Sequence, residues 1–191
     1  MAVKKSNSYT IIGNLHRKLK ASCQDVSYSE EKNGRYLAMC CDGHGARKHI
    51  RSKKGAEFGI KVVRKIFDSD ILEKALHKPI PEIRQHIILR LLAMWDSFVE
   101  NDIFQFPFSK EELSGRSAEE KAELTDNPYI AYGTTLSVVF YISGKYMTIN
   151  IGDSSIFLMN RCNRLVQASH DGNAGDITNS MCQSDAFWHF E

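Results

Sequence analysis

One junction constrains this chain more than any other feature. The run Tyr36-Leu37-Ala38-Met39-Cys40-Cys41 is almost continuously apolar and passes directly into Asp42-Gly43-His44-Gly45. A short apolar run bounded by turn residues reads as a strand, and its lack of alternation predicts burial on both faces. Residues 26–41 as a whole read as two short strands around the turn Glu31-Lys32-Asn33-Gly34, where Asn-Gly tolerates the positive φ of a tight hairpin. A strand that delivers an aspartate and a histidine into a glycine-rich turn holds them rigidly at the rim of a core. The rest of the chain has to supply that core.

Helices come next. From Ser52 to Phe67 the apolar positions Ala56, Gly59, Ile60, Val63, Ile66 and Phe67 recur every three or four residues, which predicts an amphipathic helix. A second helix is expected from about Pro81 to Asp102, with Ile83, Ile87, Leu91, Met94, Trp95 and Phe98 on one stripe and Pro81 in its first turn. Lys61, Arg64, Lys65, Arg84 and Arg90 fall between these stripes and read as a solvated face.

Residues 105–128 are polar and charged, and read as an exposed insertion with a short helix from Ser117. Strands are then expected at Ala131–Ser143 and Lys145–Gly152, joined by Ser143-Gly144. A further hairpin is expected from Ser155–Asn160 and Arg164–Ala168, and residues 8–13 suggest a short strand near the start. Strands, a helical middle and a closing meander predict an α+β fold in a single domain over residues 1–191.

Composition removes several classes of function. A net charge of +2 gives no argument for nucleic acid or membrane as partner. No apolar run approaches the roughly 20 residues that cross a bilayer, and the basic start lacks a signal-like apolar stretch. Cys23, Cys40, Cys41, Cys162 and Cys182 are odd in number and lack C-x-x-C spacing, so reduced thiols in a cytoplasmic protein are expected. Adjacent Cys40 and Cys41 point to opposite faces of a strand and cannot share a metal there.

Three aspartates carry the chemistry. Asp25, Asp42 and Asp153 each follow or close an apolar segment, and two lie in glycine-rich turns, Asp42-Gly43-His44-Gly45 and Gly152-Asp153-Ser154. Carboxylates fixed at strand ends suit a hard divalent cation, and a glycine beside them lets a backbone carbonyl approach the ion. Taken singly, Asp beside Gly more often just makes a turn. His44, with an imidazole near neutrality, suits proton transfer.

Taken together, these stretches resemble the motifs of metal-dependent Ser/Thr protein phosphatases of the PP2C type. Tyr36 to Gly45 is similar to that family's apolar strand and D-G-H-G motif, and Cys23-Gln24-Asp25 resembles its first acidic motif. Arg51-Ser52-Lys53-Lys54-Gly55-Ala56 resembles the helix start of a bacterial branch. Gly133-Thr134-Thr135-Leu136, Ile151-Gly152-Asp153-Ser154 and the stretch Ile177 to Ala186 resemble three later motifs, in the family's order. The resemblance implies a sandwich of two antiparallel sheets flanked by helices, and hydrolysis of phosphoserine or phosphothreonine in proteins.

It also implies residue roles. Asp42 is expected to bridge two Mn²⁺ or Mg²⁺ ions, with the Gly43 carbonyl completing one of them. Asp25 is expected to hold one ion, and Asp153 to lie near the second or near a weaker third. His44 is the expected general acid. Two adjacent cations neutralise a phosphate dianion and activate water, so the protein needs no nucleophilic side chain, and Cys40, Cys41 and Ser154 are expected to be bystanders.

Two departures stand out. Where many relatives carry a phosphate-binding arginine ahead of the first aspartate, this chain has Lys20, with Arg17 close by. Lysine supplies the charge without the bidentate fork, and Arg47 or Arg51 are the substitutes to consider. Relatives also continue into a further strand and a last acidic motif, whereas this sequence stops at Phe187-Trp188-His189-Phe190-Glu191. The expectation is therefore a domain that lacks its C-terminal strands and last metal motifs. The competing expectation is a pseudophosphatase that binds a phosphoprotein without turnover. Substrate identity and oligomeric state are not legible.

Overall fold

The computed structural model describes residues 7–12, 17–18, 22–75, 77–160, 162–169 and 178–191. Strands β1 (Val26–Lys32) and β2 (Arg35–Cys41) form an antiparallel hairpin. Its turn residues Asn33 and Gly34 both take positive φ, 54° and 73°. The conformation that this dipeptide tolerates is thus the one it adopts. Strands β3 (Leu136–Ile142) and β4 (Lys145–Ile151) complete a four-stranded antiparallel sheet in the order β1-β2-β3-β4. Strands β5 (Phe157–Met159) and β6 (Leu165–Gln167) make a second, two-stranded antiparallel sheet. The fold is α+β with two antiparallel sheets and flanking helices, as the sequence led us to expect.

Helix α1 (Ser52–Asp68) lies on the large sheet and against the long helix α3 (Ile80–Gln105), with the short α2 (Ile71–Ala75) between them in the chain. The apolar stripe of α1 is buried as its spacing predicts, with Ala56, Val63, Ile66 and Phe67 all essentially inaccessible. Trp95 of α3 is fully buried and donates its indole N–H to the Gly55 carbonyl at 3.0 Å.

Three expectations change. The β2 strand is not buried on both faces. Leu37, Met39 and Cys41 face the helices, while Ala38 and Cys40 are exposed, because among the described residues helices cover only one side of the sheet. Residues 7–12 form no strand; Thr10 meets Ser27 by a 2.7 Å hydroxyl hydrogen bond, but no ladder joins the segment to β1. The stretch from Ala131 begins inside a 3₁₀ turn (Pro128–Tyr132), so β3 starts only at Leu136.

The insertion at 105–128 is held down, not free. It contains α4 (Ala118–Asp126), capped by Ser117 in a reciprocal box with Glu120. A row of cations on the segment after Gly45 engages it. Lys48 meets Glu123 at 3.0 Å, Arg51 meets Glu112 at 2.7 Å, and Arg47 donates to the Gly115 carbonyl. At the chain end, Phe190 is buried while Trp188 is 80% exposed. Glu191 exchanges two backbone hydrogen bonds with Asn150 of β4, at 2.8 and 2.9 Å.

Candidate active site

The motifs that are far apart in sequence are stitched together by backbone bonds. Leaving β2, the chain keeps pairing with the start of β3: Thr135 N–H donates to the Asp42 carbonyl at 2.9 Å, and His44 N–H donates to the Gly133 carbonyl at 3.1 Å. The Thr135 hydroxyl accepts the Asp42 N–H at 3.0 Å, and the Thr134 hydroxyl donates to the Asp42 carbonyl at 3.1 Å. Both polar backbone groups of Asp42 are therefore fixed by the Gly133-Thr134-Thr135 stretch. That stretch is itself held from behind, since Met181 N–H donates to the Thr134 carbonyl at 3.0 Å and Ser180 Oγ accepts the Thr134 N–H at 3.1 Å.

Glycines set how closely the pieces approach. A Cβ on Gly43 would lie 2.9 Å from the Gln24 carbonyl oxygen, so only glycine lets the segment carrying Asp25 pack on the Asp42 turn. Gly152 takes φ +108° with the Thr135 methyl against it, which turns the chain into Asp153.

The acidic side chains converge electrostatically. Loss of hydration, a hydrogen bond shared with Asp25, and the charges of Asp25 and Asp153 push the Asp42 carboxyl from its ordinary 3.8 up to about 7. Asp42 is nonetheless open to solvent, so crowding by the other two carboxylates is the part of this shift that a cation relieves. Cys23 Sγ sits 3.8 Å from Asp25 Oδ2. Burial pushes the Cys41 thiol up, and loss of hydration raises that of the more exposed Cys40, away from the reactive thiolate form.

Among the described residues no three His, Cys, Asp or Glu side chains close around a single ion. The donors present are nonetheless of the right kind: hard carboxylate oxygens crowded around Asp42, beside the Gly43 carbonyl of the same turn. This set fits Mn²⁺ or Mg²⁺ with water completing the coordination.

His44 is half-buried and packs on His49, with ring centroids 4.9 Å apart. Loss of hydration and the neighbouring His49 lower its pKa to about 4, against an opposing pull from Asp153. It is neutral at physiological pH in the free chain. His49 donates Nδ1–H to the Ile130 carbonyl at 2.5 Å, which fixes its ring. The two histidines border a cleft of about 540 Å³ bounded by Asn127 and Ile130 on one side and residues 178–185 on the other. Asp25, Asp42 and Asp153 do not line this cleft, so His44 marks the boundary between it and the carboxylates.

Of the cations considered for phosphate, Lys20 lies outside the described residues. Arg17 is exposed and makes no hydrogen bond or ion pair among the described residues. Arg51 is not available as a substitute. Its guanidinium is 6% exposed and donates to Glu112, Asp102, Tyr132 and the carbonyls of Phe106 and Pro107. Sequence reasoning also passed over His49 and Ser180. The pairing of His49 with His44 had a faint signal in the sequence, since the turn that carries one histidine is followed within a few residues by the other.

A family model described as protein phosphatase 2C matches residues 12–191. Among solved structures, the chain is similar to the serine/threonine phosphatase Stp1 from Staphylococcus aureus, at 16% sequence identity and a TM-score of 0.44. That alignment covers 79% of this chain and 48% of the other, so the chain spans about half the length of that structure. No curated protein sequence matches.

Proposed function

Because this chain belongs to the protein phosphatase 2C family, we propose that it hydrolyses phosphoserine and phosphothreonine in proteins through a centre of two Mn²⁺ or Mg²⁺ ions. The observation that carries this reading is the crowding of Asp42 by the Asp25 and Asp153 carboxylates, on a turn whose Asp42 backbone is held by Thr134 and Thr135. Asp42, Asp25 and the Gly43 carbonyl would hold the cations, with Asp153 beside the second or a weaker third. Bound there, the ions supply positive charge against the phosphate dianion and activate water.

The protein's own contribution is position and a proton. The bonds to both backbone groups of Asp42 fix the position from which its side chain projects, so the carboxylate reaches the cations from a set point on the fold. His44 is neutral in the free chain, but an adjacent phosphate dianion favours its protonated form. It would then protonate the leaving serine or threonine oxygen. The Cys40, Cys41 and Ser154 side chains take no chemical part in this scheme. Lys20 and Arg17 are the cations we assign to the phosphate. The partner is a phosphoprotein, and no described helix is long and apolar enough to cross a membrane. The odd set of unpaired cysteines supports a reducing, cytoplasmic setting. We treat residues 1–191 as one phosphatase domain.

The test is phosphate release from a phosphothreonine peptide, with and without millimolar Mn²⁺, beside Asp42→Asn. Turnover that requires both Mn²⁺ and Asp42 is expected. No turnover from a folded chain would overturn the enzyme reading and leave phosphoprotein binding without hydrolysis.

A further inference from the structure

On the helical side of the molecule, two cavities meet. One, of about 340 Å³, lies between α2 and the first half of α3 and gathers Lys74, Lys78, His86 and Arg90 around Ser69 and Asp70. The other, of about 380 Å³, lies between the same helices and the β3–β4 hairpin, and its walls include Leu72, Ile83, Phe140, Ile142 and Met147. The two share Ala75, Lys78 and Ile83, so they adjoin as one composite groove, with charged side chains gathered mainly in the first part and apolar ones mainly in the second, where Lys145 also contributes.

The charged end carries an excess of cations. Asp70 is its only carboxylate and is paired with Lys74. Among the described residues Lys78, His86 and Arg90 have no ion-pair partner, although His86 and Arg90 sit one turn apart on the same face of α3. The charges of Lys78 and Arg90 are therefore left without a direct partner. The apolar part is floored by Leu72 at 2% and Phe140 at 1% exposure, with Ile142 and the half-buried Met147 beside them and Lys145, Tyr146 and Thr148 completing its walls. A cavity of this size with mostly apolar walls and a few polar groups at one end has the anatomy of a small-ligand site. None of its residues belongs to the carboxylate cluster or to the His44 cleft.

We infer that this composite groove binds a single-chain amphiphile, with an anionic, phosphate-class head at Lys74, Lys78, His86 and Arg90 and an acyl-like chain in the Leu72–Phe140–Met147 cavity. The charge at one end and the apolar walls at the other select the two parts of that ligand separately. A free anion satisfies only the first end, and a neutral alkyl compound only the second.

Isothermal titration with dodecyl phosphate below its critical micelle concentration tests this, beside inorganic phosphate and dodecyl maltoside. Saturable one-to-one binding is expected, at least about tenfold tighter than either comparison compound. The double variant Lys78→Glu, Arg90→Glu, both at exposed positions, should weaken dodecyl phosphate by about tenfold or more, and Met147→Asp should reduce it to the level of inorganic phosphate. Circular dichroism checks that each variant is folded. Equal affinity for inorganic phosphate, equal affinity for dodecyl maltoside, indifference to the charge reversals, or the absence of saturable binding would each overturn the inference. None of these readings depends on phosphatase activity.

Discussion

Arg51 grips Glu112 with two parallel hydrogen bonds, Nε to Oε1 at 2.7 Å and Nη2 to Oε2 at 2.8 Å, across 61 positions of sequence. Its remaining N–H groups reach Asp102, Tyr132 and two backbone carbonyls. Lysine keeps the charge at this position but cannot make the fork. Arg51→Lys should therefore destabilise the chain by about 2–4 kcal/mol, since it leaves partly buried carboxylates short of donors. The urea midpoint measures this, and a loss below about 0.5 kcal/mol would contradict the anchoring role.

The same pair sets a pH dependence. The Arg51 hydrogen bonds hold the Glu112 carboxyl down at about 2, against an ordinary value of 4.5. A carboxyl with a depressed folded-state pKa contributes stability above its unfolded pKa and loses that contribution as pH falls toward the folded value. The stability gap between the native chain and Glu112→Gln should thus be full at pH 6 and shrink between about pH 4.5 and 2. Urea titrations at pH 6 and pH 4 compare the two. A gap that grows on acidification would contradict the assignment.

Gly133 touches both histidines of the cleft. A Cβ there would overlap His49 Nδ1 and lie 2.8 Å from His44 Cδ2. Gly133→Ala should cost about 1–3 kcal/mol and displace one imidazole. Thermal melting gives the cost, and the ring-proton resonances of His44 and His49 report the displacement. Unmoved resonances would mean that the turn yields instead.

Asp42 offers a prediction whose sign changes with conditions. Its carboxyl is raised from 3.8 to about 7, and a raised carboxyl costs the fold stability as pH climbs through that window. Without divalent cations, Asp42→Asn should therefore stabilise the chain at pH 8, by about 1–2 kcal/mol once solvent screening is allowed for. With millimolar Mn²⁺ the order should reverse, because only the native chain gains binding energy. Melting curves in EDTA and in Mn²⁺ test both halves, and destabilisation by Asp42→Asn in EDTA would refute the crowding.

Much of the architecture could be read from local pattern. The stripe Ala56, Val63, Ile66 and Phe67 announces α1, and Asn33-Gly34 announces its hairpin, because both signals lie within a few residues. The β2 burial could not be read this way. Whether Ala38 and Cys40 are covered depends on what lies across the sheet, not on β2 itself. The late start of β3 has a cause the apolar run concealed: Pro128 opens a 3₁₀ turn that carries Ala131 and Tyr132 into the core before extension begins.

The candidate site divides along the same line. Asp25, Asp42 and Asp153 were legible as carboxylates at the ends of apolar segments, two of them in glycine-rich turns. The burial of Arg51 was not, because its partners Asp102 and Glu112 lie 51 and 61 positions away and look like ordinary surface acids. The pairing of His44 with His49 was only faintly legible, since it depends on Ile130 fixing the second ring.

The bonds that fix Asp42 to Thr134 and Thr135 span 92 and 93 positions. Contacts of that separation are slow to form, because the intervening loop must close before they return any stabilisation. The β1–β2 hairpin can pair within its own few residues, but the Asp42 turn acquires its geometry only once β3 has docked on β2. The metal affinity proposed for Asp42 should therefore emerge later in refolding than the β1–β2 hairpin.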